Sequence, residues 1–156
     1  MSTRAQTPLS PGASLPWTNS LALLLLRVVV GGVLLAHGAQ KIFEYTPAGT
    51  AASFEKMGVP AAAFVGPAVG WLELIGGALI VVGLLTRVVA ALLAVDMLGA
   101  LFLVHLKAGL FVAQGGFEFV AVLAAVLLAL VLAGPGKLAL DAAVMPRMRR
   151  SRAAQA

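Results

Sequence analysis

Apolar positions fall in four long runs, residues 20–43, 61–84, 87–106 and 116–134, separated by short polar stretches. Each run is close to the roughly 20 residues that carry a helix across about 30 Å of hydrocarbon. The pattern predicts an all-α integral membrane four-helix bundle of antiparallel up-down spans. Between spans one and two, "EYTPAGTAASFEKMGVP" sets Phe54, Met57 and Val59 among polar residues, which predicts a short amphipathic surface segment. The link "GLLTR" is so short that spans two and three must be antiparallel neighbours. Gly134 and Pro135 end span four, and residues 137–145 are expected to restart as a surface helix.

Polar groups inside these runs have to face protein, because an ion in hydrocarbon costs at least about 2.5–3.5 kcal/mol. On span one Arg27, Gly31, His37, Gly38 and Lys41 share an arc of roughly 120°, and on span two Gly66, Gly70, Glu73 and Gly77 share roughly 60°. Both arcs are thin faces on which helices can approach closely. Val28, Val29 and Val33 are left to meet lipid. Counted from the run ends, Arg27 and Glu73 reach similar depth and are expected to pair, either as a salt bridge fixing helix register or as part of a site. His37, His105 and Glu118 converge near the outer level, with Lys41 and Lys107 farther out and Glu118 in the first turn of its helix. Asp96 and His105 face opposite ways on a straight helix, so Asp96 is expected at an inter-subunit contact, paired with another helix, or protonated.

The two halves carry a faint echo of one another. Arg-Val-Val opens both span one and span three, a histidine and then a lysine follow, and spans two and four each hold one glutamate. A parallel repeat of helical hairpins would give this pattern.

Composition agrees with the runs: 61% of the 156 residues are hydrophobic and 11% charged, with a mean hydropathy of +1.02. The first run is too long for a signal-peptide core and lacks a small-residue cleavage site, so it is expected to remain in the mature protein. Without cysteine the chain cannot perform disulfide exchange or hold a thiolate-ligated cluster, and redox chemistry would need a bound cofactor or partner. The net charge of +5 reflects "RMRRSR" near the C-terminus more than a nucleic-acid surface, and no nucleic-acid partner is expected. Arg4, Arg87, Lys137 and the arginines at 147, 149, 150 and 152 share one side, against Lys41, Lys56 and Lys107 on the other. That places both termini in the cytoplasm. Residues 1–19 are expected to be a disordered tail, residues 20–145 the membrane domain, and residues 146–156 a basic tail.

The stretches "LRVVVGGVLLAHGAQKIF", "MGVPAAAFVGPAVGWLELIGGALIVVGLLTR", "VHLKAGLF" with "GGFEF", and "GPGKLALD" resemble, in order and spacing, the DoxX family over about residues 20–142. The resemblance implies a four-helix protein of the bacterial inner membrane, with some members linked to quinol oxidation or thiosulfate:quinone oxidoreduction and others to oxidative-stress complexes. It also implies that Arg27, His37, Lys41, Glu73, Arg87, His105 and Glu118 occupy the family's polar motif positions. Asp96 matches none.

Three functions fit these residues. In the first, the chain is a membrane subunit supporting quinone-linked redox chemistry or oxidative-stress defence. His37, His105 and Glu118 are then the candidate catalytic groups, and Arg27, Lys41 and Glu73 join them in holding the cofactor. In the second it is a non-enzymatic scaffold anchoring soluble redox proteins at the cytoplasmic face, consistent with the lack of any nucleophile triad or phosphate loop. In the third it carries a small solute or proton. Haem between the two histidines, or a metal on His37, His105, Glu73 and Glu118, ranks below quinone, since the Glu-x-x-His pairs of di-iron bundles are missing. Glycine-rich faces are also compatible with a homo-oligomer.

Overall fold

The computed structural model describes residues 17–144, so the expected N-terminal tail through residue 16, residue 145 and the expected basic tail over 146–156 lie outside the described residues. Helix α1 runs Trp17–Ala39 and continues into a widened π-type turn, Gln40–Glu44; α2 covers Thr46–Lys56 and α3 Ala62–Val82. Helix α4, Thr86–Ala100, ends in a second π-type turn, Leu101–His105, and α5 covers Glu118–Ala133. Three helical stretches, 17–44, 62–82 and 86–108, are long and apolar enough to cross a membrane, and α5 is a shorter apolar helix. Together they form an all-α membrane bundle. Valines and leucines such as Val29, Leu25, Val88, Val95 and Leu132 point outward, more than half exposed, as lipid-facing residues should. Val33 differs from expectation: it packs against the core and is only partly exposed.

Helices α1 and α3 make the most intimate contact, and glycine is the reason. A Cβ on Gly38 would lie 2.2 Å from the Leu74 amide nitrogen, and one on Gly77 would lie 2.4 Å from that of Leu35. With no side chain at these crossings the backbones touch, and Gly31 faces Gly77 in the same seam. The second pair is α4 with α5, joined through Leu93, Met97, Leu123, Leu127 and their neighbours in one apolar core. Helix α2 lies across the start of α3, where Gly66 meets the backbone of Ala51.

This seam overturns the expected Arg27–Glu73 pair. Arg27 stands against Gly83, where a Cβ would overlap its guanidinium, so it lies about 15 Å along the axis from Glu73. The error came from assuming that the two spans start level; α1 instead overhangs the end of α3, and its first residues pack against the segment after α5. Ser20 Oγ accepts from Lys137 N at 3.4 Å. The Arg27 side chain, 1% exposed, donates from Nη1 to Pro135 O at 3.1 Å and from Nη2 to Leu138 O. Backbone carbonyls freed at a helix end thus satisfy a buried cation. The Asp141 carboxylate accepts from Leu85 N at 2.8 Å and Thr86 N at 2.9 Å, which caps α4. Its own amide donates to Gly83 O at 2.9 Å. "GPGKLALD" is therefore a strap tying α1, the α3–α4 turn and α5 together, and of the helix expected over 137–145 the described residues 140–144 are helical.

Two boundaries also move. α1 begins at Trp17, inside the stretch expected to be disordered. α5 is trimmed at both ends relative to 116–134, because Gly134 has φ +81 and because Gly116 packs on the Gly109 and Leu110 backbone, holding residues 115–117 in a turn.

Replacing Gly38 with leucine is expected to force α1 off α3 and cost roughly 3 kcal/mol, seen as a lower thermal midpoint in detergent. Asp141→Ala, which uncaps α4 beside Arg27, should cost about 2 kcal/mol in the same measurement.

Candidate functional site

α3 and α4 leave their connecting turn close together and then diverge. A Cβ on Gly76 would touch Leu93 and Val89 at 3.2 and 3.3 Å; one turn farther from the connection, Glu73 on α3 and Asp96 on α4 stand at the same level. Beyond them the gap widens into a cavity of about 630 Å³, closed by α1, α2 and α5. Its walls are almost entirely apolar. Leu34, Val65, Val69, Leu72, Val104 and Leu123 are typical of them, and Leu92, Val95 and Leu103 line it while each is more than half exposed on the outer surface of α4. The cavity accordingly borders the lipid-facing side of the bundle along α4.

Polar side chains enter from three elements: His37 and Lys41 from α1 and its π-type turn, Glu73 from α3, Asp96 and His105 from α4 and its turn. Lys41 Nζ donates to Glu73 Oε2, and the pair is nearly enclosed, with side-chain exposures of 18% and 5%. Glu73, expected to meet Arg27, is instead neutralised by the other basic group of span one. The π-type turn that carries Lys41 frees its carbonyl, which accepts from Thr50 Oγ1 of α2 at 2.8 Å. His37 is exposed overall and sets its ring 6.0 Å from that of Phe119, tilted by 50°. His105 Nδ1 is 2.7 Å from Gly115 O.

The remaining expected site residues lie elsewhere. Arg27 is committed to the strap. Glu118 Oε1 accepts from Val112 N at 2.7 Å and organises the loop before α5, where Phe117 N and Glu118 N also donate to Gly109 O and Leu110 O. Asp96 and His105, of which a straight helix would aim only one inward, both line the same cavity. The turn Leu101–His105 holds one extra residue per hydrogen-bonded ring, which rotates the following positions by about 100° and brings the two onto one face. Phe54, Met57 and Val59, expected to lie on lipid, face the cavity. The amphipathic pattern located that apolar face correctly but could not say what it met. Among the described residues no three His, Asp or Glu groups converge as a metal site.

The fold and cavity define a small helical membrane protein with an enclosed intramembrane polar cluster. The DoxX family pattern matches residues 22–106. The chain is 38% identical over 130 residues to an uncharacterized membrane protein of Mycobacterium tuberculosis, Rv3486, covering 77% of this chain and 79% of that one. It is 37% identical over 121 residues to a Bacillus subtilis protein named "Putative oxidoreductase CatD", covering 78% and 85%. A Haemophilus influenzae protein is 33% identical over 123 residues, covering 76% and 87%. No solved structure gives a significant match. The chain belongs to the DoxX family.

Removing one partner of the buried ion pair should cost more than removing both. Lys41→Met is expected to destabilise by about 3 kcal/mol because Glu73 is left enclosed and unpaired, while Lys41→Met combined with Glu73→Leu should recover most of that loss. A double-mutant cycle on thermal unfolding in detergent checks it.

Proposed function

We propose that the cavity binds a lipid-soluble quinone or quinol and that the protein is a membrane subunit of quinone-linked redox chemistry. The observation carrying this reading is a single chamber of about 630 Å³ that is apolar-walled, bordered by lipid-facing residues of α4 and ended by Lys41, Glu73 and His37. A quinone asks for that combination: an apolar slot for ring and tail, and a few polar groups at one end. The printed name of the Bacillus subtilis relative points the same way.

A bound quinone would supply two-electron, two-proton chemistry. The protein's own residues hold and shield it. Lys41, fixed by Glu73, has two N–H donors left for a ring oxygen. His37, beside Phe119, adds an imidazole to the polar lining of the cavity. His105, with Nδ1 engaged at Gly115 O, keeps Nε2 as its unengaged nitrogen. The walls from Leu34 and Leu72 to Leu123 exclude water.

The membrane in question is a bacterial plasma membrane, with the Arg27 end of the bundle on the cytoplasmic side. Supporting this, Ser20 and Lys137 meet at that end, so the chain enters and leaves the bundle on one side, together with most of the basic residues outside the spans.

Gly99 lines the cavity, and a Cβ built on it meets nothing within 4 Å. Gly99→Trp is therefore expected to fill the chamber without lowering the thermal midpoint and to weaken binding of a decyl-chain benzoquinone by at least about tenfold. Equilibrium titration in detergent measures it. Absence of saturable binding by the unaltered protein at millimolar quinone would remove this reading.

A further inference from the structure

Asp96 is the least explained charged residue in the bundle. It sits midway along α4 between Val95, which faces outward, and Met97, which is buried in the core. Its Oδ2 atom is buried and has no hydrogen-bond partner within the protein. The ion pair beside it is complete without it, since Lys41 is held by Glu73. Four titratable groups share its cavity: His37 and Lys41 from the α1 side, Glu73 from α3 at its own level, and His105 one π-type turn along α4. α2 and α5 contribute only apolar side chains and glycine backbone to the lining. A buried acceptor without a donor is costly unless something else supplies one.

Building on the quinone reading above, we propose that Asp96 accepts a hydrogen bond from a ring hydroxyl, so that the site prefers the reduced, hydroxyl-bearing form of its ligand. The donor and acceptor inventory at this end of the cavity leads there. Lys41 offers N–H donors and no acceptor, whereas Asp96 in its ionised form offers acceptors and no donor. A ring hydroxyl satisfies both, its oxygen accepting from Lys41 and its hydrogen going to Asp96. A ring carbonyl can take only the first of these bonds and leaves Oδ2 without a partner. Asp96 is thus a binding residue that discriminates between the two redox forms, and the remainder of the cavity, being apolar, treats them alike.

The test titrates the full-length protein in detergent, anaerobically, with a decyl-chain benzohydroquinone and with the matching benzoquinone. The unaltered protein, Asp96→Asn and Asp96→Leu are compared, and the thermal midpoint of each is recorded without ligand. The unaltered protein should bind the hydroquinone at least about tenfold more tightly, the difference made by one hydrogen bond to a charged acceptor. Asp96→Leu should abolish the preference while leaving benzoquinone affinity within about twofold, with Asp96→Asn intermediate. Neither variant should melt below the unaltered protein, because each removes an unpartnered buried charge. Should the leucine variant fail to fold, the near-isosteric Asn variant carries the comparison. Equal affinity of the unaltered protein for both forms, or a preference that survives both substitutions, overturns the Asp96 assignment and leaves the quinone reading standing. Binding of neither form removes the two together.

Discussion

Close contact between α1 and α3 governs what every charged group in the bundle can do. The seam is made of backbone, with Gly31, Gly38 and Gly77 permitting an approach that any side chain would prevent. Contacts of this kind leave no room to slide, because a shift of one residue would drive a Cβ into a peptide group. Register set in this way brings Lys41 to Glu73 and carries Arg27 past the end of α3 to the carbonyls of Pro135 and Leu138. Two basic residues on one helix face thereby acquire unlike partners, one a carboxylate inside the cavity and the other the backbone of a strap outside it.

The cavity follows from the same constraint together with a departure from it. α3 is held against α1 along its length and packs less closely on α4, which it meets from their connecting turn to about Gly76, and α4 follows α5 instead. Widened turns finish the two helices that carry Arg-Val-Val, α1 and α4, and each delivers a polar side chain to the chamber, Lys41 in one case and His105 in the other. The backbone therefore echoes between the halves while the chemistry does not. Arg27 is enclosed and Arg87 exposed; Glu73 meets a lysine and Glu118 a loop amide.

Much of this was legible in the residues. Run length and hydropathy identify the membrane helices, and the glycine arcs on spans one and two correctly name the faces that meet. The inward aim of Glu73 and Lys41 also follows, since an unpaired ion facing hydrocarbon is costly. Axial offset was not legible. Angular arithmetic says which way Arg27 and Glu73 point, but their relative height depends on how far α1 overhangs α3, which is decided by where the glycine seam locks and not by where either apolar run starts. Asp96 was hidden for a related reason: a single π-type turn changes the phase of the residues after it, and no composition or spacing signal marks where such a turn occurs. Glu118 looked like a site acid because helix starts favour carboxylates, yet the nearest unsatisfied donor was Val112 N in its own loop.

That loop has a bearing on how the protein sits in its bilayer. α5 has 16 residues and is about 24 Å long, less than the usual hydrocarbon thickness. Leu110, Phe111 and Val112 are each about half exposed or more and prolong the greasy band beyond its first turn. Irregular chain can enter lipid only when its amides are internally occupied; those of residues 112, 116, 117 and 118 are, whereas those of Leu110 and Phe111 have no internal partner among the described residues. On this flank the wound loop is therefore held at headgroup level above a helix shorter than expected, and the mismatch in height would thin the leaflet locally.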